Sequence, residues 1–204
     1  MTKSLVYTLK GGAGKTRIAL TLAKITKSLI VTNDYSSSLG KYLGEKEFVR
    51  LRLGQDIPAL KQNHRVVFDM GGYPDPRIMD IAKKVDVIII PFFCEVDYLQ
   101  SAVDTMRELE TVNKNIILVH NKAKKENIEK TKKLFREIYK RNYPIFEISE
   151  SAFVADILSR RKTVEERLPF LNGKPKESAN KVKDQFRAIT KELKSRESGI
   201  LLEA

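Results

Sequence analysis

The sequence feature that most constrains the fold is a glycine-rich segment near the start of the chain, Lys10-Gly11-Gly12-Ala13-Gly14-Lys15-Thr16. A short apolar stretch, residues 4–9, precedes it, and apolar residues at helical spacing follow it over residues 17–24. Glycines let backbone N–H groups wrap around an anion without Cβ clashes, and the N-terminus of the next helix adds a favourable dipole. The order strand, glycine loop, helix therefore predicts a phosphate-binding loop.

This loop is an altered form of the pattern G-x-x-x-x-G-K-[ST], because Leu9 stands where the first glycine belongs and a second lysine, Lys10, stands at the front. In such a loop Lys15 meets the β- and γ-phosphates of a nucleotide, and the Thr16 hydroxyl ligates Mg²⁺. The predicted nucleotide-binding residues are Gly11, Gly12, Ala13, Gly14, Lys15, Thr16 and Arg17.

Apolar segments typical of strands alternate with amphipathic helical segments along the rest of the chain. Strands are predicted at 3–9, 28–32, 65–69, 86–91, 115–120 and 145–148, and helices at 15–27, 76–84, 98–112, 126–141 and 177–196. The alternation predicts an α/β fold, in which a mostly parallel twisted sheet is covered by helices on both faces. We expect a single domain over residues 1–204, with its binding residues at the carboxyl ends of the strands.

A carboxylate lies at the end of one predicted strand and just beyond the end of another. An apolar strand runs into Asp69, followed by Gly71 and Gly72. A carboxylate there orients Mg²⁺ and its waters, and the glycine spacing suits a switch whose backbone senses a γ-phosphate. Asp34 follows strand 28–32, where it would orient an attacking water and move as part of the switch. Turn or helix capping is the alternative for Asp34, since three serines follow at 36–38.

The strand end Val119-His120-Asn121-Lys122-Ala123-Lys124 is similar to the N-K-x-D base-reading motif of GTPases, but Lys124 replaces the aspartate. Without that carboxylate, the guanine exocyclic amine and ring N–H lack their acceptor, so the motif favours adenine. Asn121 is the residue expected to hydrogen-bond the base, with a simple loop cap as the alternative.

Positive charge is concentrated in the second half of the chain. Residues 1–113 carry 16 Lys and Arg against 13 Asp and Glu, whereas residues 114–204 carry 22 against 13, within a formal net charge of +12. This asymmetry indicates a polyanionic partner, with a merely solvated surface as the alternative. A single cysteine, Cys94, an apolar run too short to span a bilayer and a first strand close to Met1 predict a cytoplasmic protein.

The segment from Lys10 to Thr16, together with Asp34, Asp69 and residues 85–91, resembles the ParA/MinD group of P-loop ATPases. Residues 146–166 extend the resemblance, which covers essentially the whole chain and is greatest to small plasmid-partition ParA proteins. It implies an enzyme that hydrolyses ATP to ADP and phosphate with Mg²⁺. In the implied homodimer, ATP lies in the interface and Lys10 of one subunit reaches the phosphates of the other. Lys10, Lys15 and Asp34 are then the catalytic residues.

The same resemblance implies that the ATP-bound dimer binds DNA without sequence preference, that a ParB-like centromere-binding protein stimulates hydrolysis, and that the protein associates with the nucleoid. The basic residues predicted to contact DNA are Lys133, Lys140, Arg160, Arg161, Lys162, Lys181 and Arg187. Two departures from the ParA pattern are present. Thr32-Asn33-Asp34-Tyr35-Ser36 stands in place of Asp-x-Asp-Pro-Gln, and Arg17 follows Thr16 where a second Thr is usual.

Other functions on the same scaffold are less well supported. A MinD-like membrane-cycling ATPase needs a lipid-inserting amphipathic C-terminal helix, but residues 198–204 have few apolar residues and no basic face. A dethiobiotin-synthetase-like ligase acts on small acids, which does not account for the excess of Lys and Arg in residues 114–204. A nitrogenase-type iron protein is excluded, because one cysteine cannot supply two cluster ligands per subunit.

Overall fold

The computed structural model describes residues 2–34, 39, 43–44, 46–52, 54–57, 64–138, 143–155 and 162–199. Within them, the strands are β1 (Lys3–Val6), β2 (Leu29–Thr32), β3 (Phe48–Arg50), β4 (Val66–Asp69), β5 (Val87–Phe92), β6 (Ile116–Ala123) and β7 (Ile145–Ser149). These strands form one sheet in the order β3-β2-β4-β1-β5-β6-β7, and all pairs are parallel. The predicted α/β fold class is confirmed.

The described helices are α1 (Lys15–Thr26), α2 (Arg77–Lys84), α3 (Val96–Glu110), α4 (Lys125–Ile138), α5 (Ala152–Ala155), α6 (Val164–Arg167), a 3₁₀ turn (Leu168–Phe170) and α7 (Gly173–Gly199). No helix within these residues is long and apolar enough to cross a bilayer. The last helix begins at Gly173, four residues before its predicted start. Pro175 is tolerated in its first turn, because the N–H groups there have no partner within the helix.

Apolar side chains pack on both faces of the sheet. Alternate residues of a strand point to opposite faces, so Val87 and Ile89 of β5 join one buried cluster while Ile88 and Ile90 join the other. The first cluster contains residues of α1, α5, α6 and α7, and the second contains residues of α2, α3 and α4. The helices therefore form two separate layers, as the continuous apolar strands predict.

The topology places the phosphate loop at the centre of the sheet. β1 lies between β4 and β5, so the chain moves to one side of β1 through β2 and β4 and then crosses to the other side with β5. Ligands bind where such a reversal occurs, at the carboxyl ends of the strands. The pairing register aligns Val6, Thr32 and Asp69 at this edge, so the loops that follow the three strands meet there.

Several element boundaries differ from the predictions. β1 ends at Val6 rather than at residue 9, and β6 continues to Ala123 rather than ending at residue 120. Asn121 therefore lies on a strand, not in a loop. The short elements β3, α5 and α6 were not predicted.

Candidate functional site

The phosphate loop, residues 10–16, has the backbone conformation that its glycines predict. Gly12 and Gly14 have φ angles of +82° and +90°, which L side chains rarely adopt. Gly14 is the N-cap of α1 and provides no side-chain cap. The first-turn N–H groups therefore face the loop without a capping side chain, the arrangement that binds an anion. Arg17 is exposed on this first turn.

The Lys15 ammonium lies inside the loop. Its Nζ donates hydrogen bonds to the backbone oxygens of Thr8 at 3.1 Å and Lys10 at 3.0 Å. Burial lowers the pKa of Lys15, while the nearby carboxylates of Asp69 and Asp34 raise it. The nitrogen is thus held where the loop amides converge, in position to exchange its two carbonyl partners for phosphate oxygens.

Asp69 and Thr16 form a pair of oxygen ligands beside Lys15. The Asp69 carboxylate is 1% exposed and accepts a hydrogen bond from the Thr16 side chain. Its second oxygen, Oδ2, is buried without a hydrogen-bond partner. Burial raises the pKa of Asp69 to about 7, against the opposing effects of Thr16 and Lys15. A hydroxyl beside an unsatisfied buried carboxylate oxygen fits Mg²⁺, which takes hard oxygen ligands and completes its shell with phosphates and water.

The glycine loop, residues 70–75, lies against the phosphate loop. A Cβ on Gly72 would lie 2.9 Å from Lys15 Nζ and 2.9 Å from the Leu9 oxygen, so only glycine allows this approach. The Asp34 loop, residues 33–34, lies next to it. Asp34 is partly exposed, and its charge acts on both Lys15 and Asp69. The structure therefore brings together Lys15, Thr16, Asp34, Asp69 and Gly72, as the strand-end argument predicts.

A buried polar network lies beside these residues, and the sequence did not predict it. Asn33, fully buried, bonds through its side chain to the Gly71 N–H and to Asp75. The Tyr73 hydroxyl donates to the Asn33 backbone oxygen, and Arg77 donates to Asp75. The sequence signal for this network is Asn33 itself, a polar residue directly after an apolar strand. Asn33 also belongs to the segment that departs from the Asp-x-Asp-Pro-Gln pattern.

Asn121 supports the phosphate loop from near the end of β6, two strands away from β1. Its Nδ2 donates to the Ala13 oxygen at 3.2 Å, and a Cβ on Gly14 would clash with the same nitrogen. A cleft of about 510 Å³ opens beside it. The residues that line this cleft are Phe93, Cys94, Glu95, Tyr98, Asn121, Lys122, Lys124, Asn127 and Glu150. Its place next to the loop and its size suit a nucleotide base, and most of its lining was not anticipated.

Lys10, at the front of the loop, contacts α3. Its Nζ lies 3.6 Å from an Asp97 carboxylate oxygen and 5.7 Å from the centre of the Tyr98 ring. The Tyr98 hydroxyl would lie 3.1 Å from a Cβ on Gly12. Thr105, further along α3, accepts a hydrogen bond from the Leu9 N–H. The front of the phosphate loop is therefore tied to α3, a contact that the sequence does not predict.

The predicted DNA-binding residues do not lie on one surface. Lys162, Lys181 and Arg187 are exposed on or next to α6 and α7, whereas Lys133 is exposed on α4, which packs on the opposite face of the sheet. Arg187 pairs with Glu165 at 3.2 Å, Lys133 pairs with Glu137 at 3.7 Å, and Lys162 lies over the Phe170 ring. Lys140, Arg160 and Arg161 lie outside the described residues.

A parallel sheet in this order, with a phosphate loop after its central strand and oxygen ligands at the neighbouring strand end, defines the P-loop nucleotide-binding fold. No protein-family model and no curated protein matches the sequence.

Solved structures narrow the fold to one type. The chain is similar to apo McdA of Cyanothece, with a TM-score of 0.64 at 14% identity over 91% of this chain and 99% of that one. It is similar to a plasmid partition protein from Borrelia burgdorferi B31 bound to AMPPNP, with a TM-score of 0.63 at 17% identity over 92% and 98%. It is also similar to the cell division protein MinD of Aquifex aeolicus, with a TM-score of 0.59 at 16% identity over 93% and 97%. The chain has the ParA/MinD fold, and the resemblance is confirmed at the level of the fold.

Proposed function

We propose that this protein is a DNA-partition ATPase, which binds DNA as an ATP-bound dimer and leaves it after hydrolysis. The observation that carries the proposal is the arrangement of two lysines around one phosphate loop. Lys15 is enclosed by the loop, whereas Lys10 lies at its exposed front. In the proposed dimer, Lys15 binds the ATP of its own subunit, and Lys10 leaves its contact with Asp97 and binds the ATP of the second subunit.

The chemistry follows from the positions of the side chains. Lys15 and the loop N–H groups bind the β- and γ-phosphates, and Asp34 accepts a hydrogen bond from the water that attacks the γ-phosphate. Thr16 and Asp69 are the residues that would hold Mg²⁺, which supplies positive charge to the phosphate oxygens when bound. Lys10 of the second subunit adds a further cation as negative charge develops. Because that cation comes from a partner, dimerisation depends on ATP.

The DNA surface is the exposed side of α7 together with Lys162. Lys181 and Arg187 project from this face and are accompanied by further exposed Lys residues at 174, 176, 191 and 194. Phosphate contacts of this kind carry no base information and release counterions, so binding weakens steeply as salt increases. Association with the nucleoid and stimulation of hydrolysis by a ParB-like protein belong to the same proposal.

A MinD-like role at a membrane is the second candidate, favoured by the fold likeness to MinD of Aquifex aeolicus. DNA is preferred to a lipid surface because Lys and Arg are in excess in residues 114–204, while residues 198–204 have few apolar residues and no basic face for lipid insertion. Co-sedimentation with anionic vesicles separates the two candidates.

The decisive experiment is DNA co-sedimentation with ATP, ADP or no nucleotide, across a series of salt concentrations. We expect binding with ATP only, and a steep loss as salt rises. Asp34→Ala is expected to bind DNA persistently and to turn over no ATP, whereas Lys15→Ala binds neither nucleotide nor DNA. Equal DNA binding in all nucleotide states, or none at low salt, contradicts the proposal.

A separate experiment tests whether the proposed DNA surface lies on α7. The double change Lys181→Ala with Arg187→Ala is expected to reduce the slope of log affinity against log salt by about 2, roughly one per phosphate contact. Lys133→Ala, on the opposite face, is the matched control and is expected to leave that slope unchanged. The reverse result would move the DNA surface to α4.

A further inference from the structure

The buried side chain of Asn33 joins the two loops that meet at the phosphate loop. Its Oδ1 accepts a hydrogen bond from the Gly71 N–H at 2.7 Å, and its Nδ2 donates to Asp75 Oδ2 at 2.7 Å. Its backbone oxygen accepts a hydrogen bond from the Tyr73 hydroxyl at 2.5 Å. Asn33 is 0% exposed, so the loss of either side-chain bond leaves a buried polar group without its partner.

Asp75, at one end of this network, is held firmly in place. Arg77 donates to the Asp75 carboxylate from its backbone N–H at 3.0 Å, from Nε at 2.9 Å and from Nη2 at 2.6 Å. Arg77 Nη1 also donates to the backbone oxygens of Arg52 and Gln55. The Arg77 bonds, with that from Asn33, lower the pKa of Asp75 to about 2, so the carboxylate stays ionised near neutral pH. Asp75 therefore acts as a fixed anchor for the Asn33 amide.

The other bonds of Asn33 lead directly to residues assigned to the chemistry. Asp34 follows Asn33 in the chain, and Gly72 follows Gly71. The Gly72 backbone lies against Lys15 and the phosphate loop. A displacement of Gly71 and Gly72 at the phosphate site is thus transmitted to the Asp34 loop through the Asn33 side chain, beside a second bond from the Tyr73 hydroxyl to the Asn33 backbone oxygen.

We propose that Asn33 is a positioning residue that couples the glycine loop to the Asp34 loop. Contact of the γ-phosphate with the glycine loop then fixes the position of the Asp34 side chain. A carboxamide suits this role, because one planar group offers an acceptor to an N–H and a donor to a carboxylate. The inference rests on the proposed ATPase function and goes beyond it by assigning the link between phosphate sensing and water positioning.

Two measurements on Asn33→Ala test the coupling. The first is amide hydrogen exchange of the peptide covering residues 70–75, read by mass spectrometry without nucleotide and with AMPPNP. We expect Gly71 to exchange at least about tenfold faster without nucleotide, since its acceptor is gone. The second is ATP hydrolysis, where kcat is expected to fall roughly ten- to a hundredfold while KM changes less than about threefold, because the phosphate-loop contacts remain.

Tyr73→Phe is the matched control. It removes the hydroxyl bond to the Asn33 backbone oxygen but leaves both bonds of the Asn33 side chain. We expect exchange at Gly71 and kcat to stay within about threefold of the wild type. Asn33→Ser, whose side chain is too short to reach both partners, repeats the test should Asn33→Ala not fold. Slow exchange across β5 reports an intact fold in every variant.

The outcomes separate this inference from the proposed function. Wild-type exchange at Gly71 in a folded Asn33→Ala or Asn33→Ser variant overturns the link, and so does a kcat that is unchanged. A wild-type protein that hydrolyses no ATP contradicts the proposed function instead. In that case faster exchange at Gly71 in the variant, with loss of its response to AMPPNP, still supports the link.

Discussion

The Asp69 carboxylate lies at the proposed Mg²⁺ site, and burial disfavours its charged form. Its pKa is raised to about 7, first of all by burial. A carboxyl group whose folded pKa is raised binds its proton more tightly in the folded state than in the unfolded chain. The protonated carboxyl group therefore contributes to stability at low pH. This contribution is lost as pH rises from about 4, the pKa in the unfolded chain, through about 7, the pKa in the folded protein.

Asp69→Asn is accordingly expected to stabilise the protein in the absence of Mg²⁺. At pH 8 the free energy of unfolding should rise by on the order of 2 kcal/mol, because a neutral amide replaces a buried charge and still accepts from Thr16. The gain should be absent at pH 4, and Mg²⁺-dependent hydrolysis should be lost. Urea unfolding in EDTA at both pH values measures the effect. The partly exposed Asp34, changed to Asn, provides the control, and equal stability of Asp69→Asn and wild type at pH 8 would contradict the argument.

Among the individual residues, the sequence predicts those whose roles follow from local spacing along the chain. Lys15 and Thr16 follow from the pattern of the phosphate loop, and Asp69 follows from its place at the end of an apolar strand. The partners of Asn33 are 38 and 42 residues away in the chain. No local pattern joins such residues, so the network becomes visible only when the parallel register brings the strand ends together.

Among the elements, α7 has one face buried in the core and an exposed face that carries the proposed DNA contacts. Ala179, Val182, Phe186, Ile189 and Leu193 are buried in the first cluster, at the spacing that the sequence predicts. The exposed side carries Lys181 and Arg187, together with the acidic residues Glu177 and Asp184. The buried and the exposed faces can therefore be changed independently.

Phe186→Ala is expected to lower the free energy of unfolding by about 3–5 kcal/mol, the range for a buried Phe that leaves a cavity. Its neighbour Arg187 is exposed and pairs with Glu165 at the surface. Arg187→Ala should change stability by less than about 1 kcal/mol while it weakens DNA binding. Urea denaturation followed by circular dichroism compares the two variants. A large stability loss in Arg187→Ala would show that this residue supports the fold.

Long elements were predictable and short ones were not. The continuous apolar runs of β5 and β6 indicate buried parallel strands, but β3 has three partly exposed residues and no recognisable period. The short helix α6 did carry a signal. Thr163 and Glu166 form a capping box, in which each side chain accepts a hydrogen bond from the other's backbone N–H.

For the whole molecule, the role proposed for Lys10 separates nucleotide binding from dimerisation. Lys10→Ala is expected to bind ATP within about threefold of the wild type but to remain monomeric, because its ammonium acts on the second subunit. Sedimentation velocity with ATP, in an Asp34→Ala background that keeps the nucleotide intact, measures the oligomeric state. Asp97→Ala, which removes the ion pair between Lys10 and α3, is the control and should still dimerise. A Lys10→Ala dimer would refute the proposed interface.

The resting place of Lys10 also bears on the speed of assembly. Its contacts with Asp97 and Tyr98 lie at the surface, with side chains 43% and 78% exposed in the ion pair. Such contacts are worth about 0–1 kcal/mol each. Exposed side chains cross barriers of that size within roughly picoseconds to nanoseconds, far sooner than two subunits meet. In the proposed dimer, the Lys10 side chain therefore reorients faster than the subunits meet and does not limit the rate of assembly.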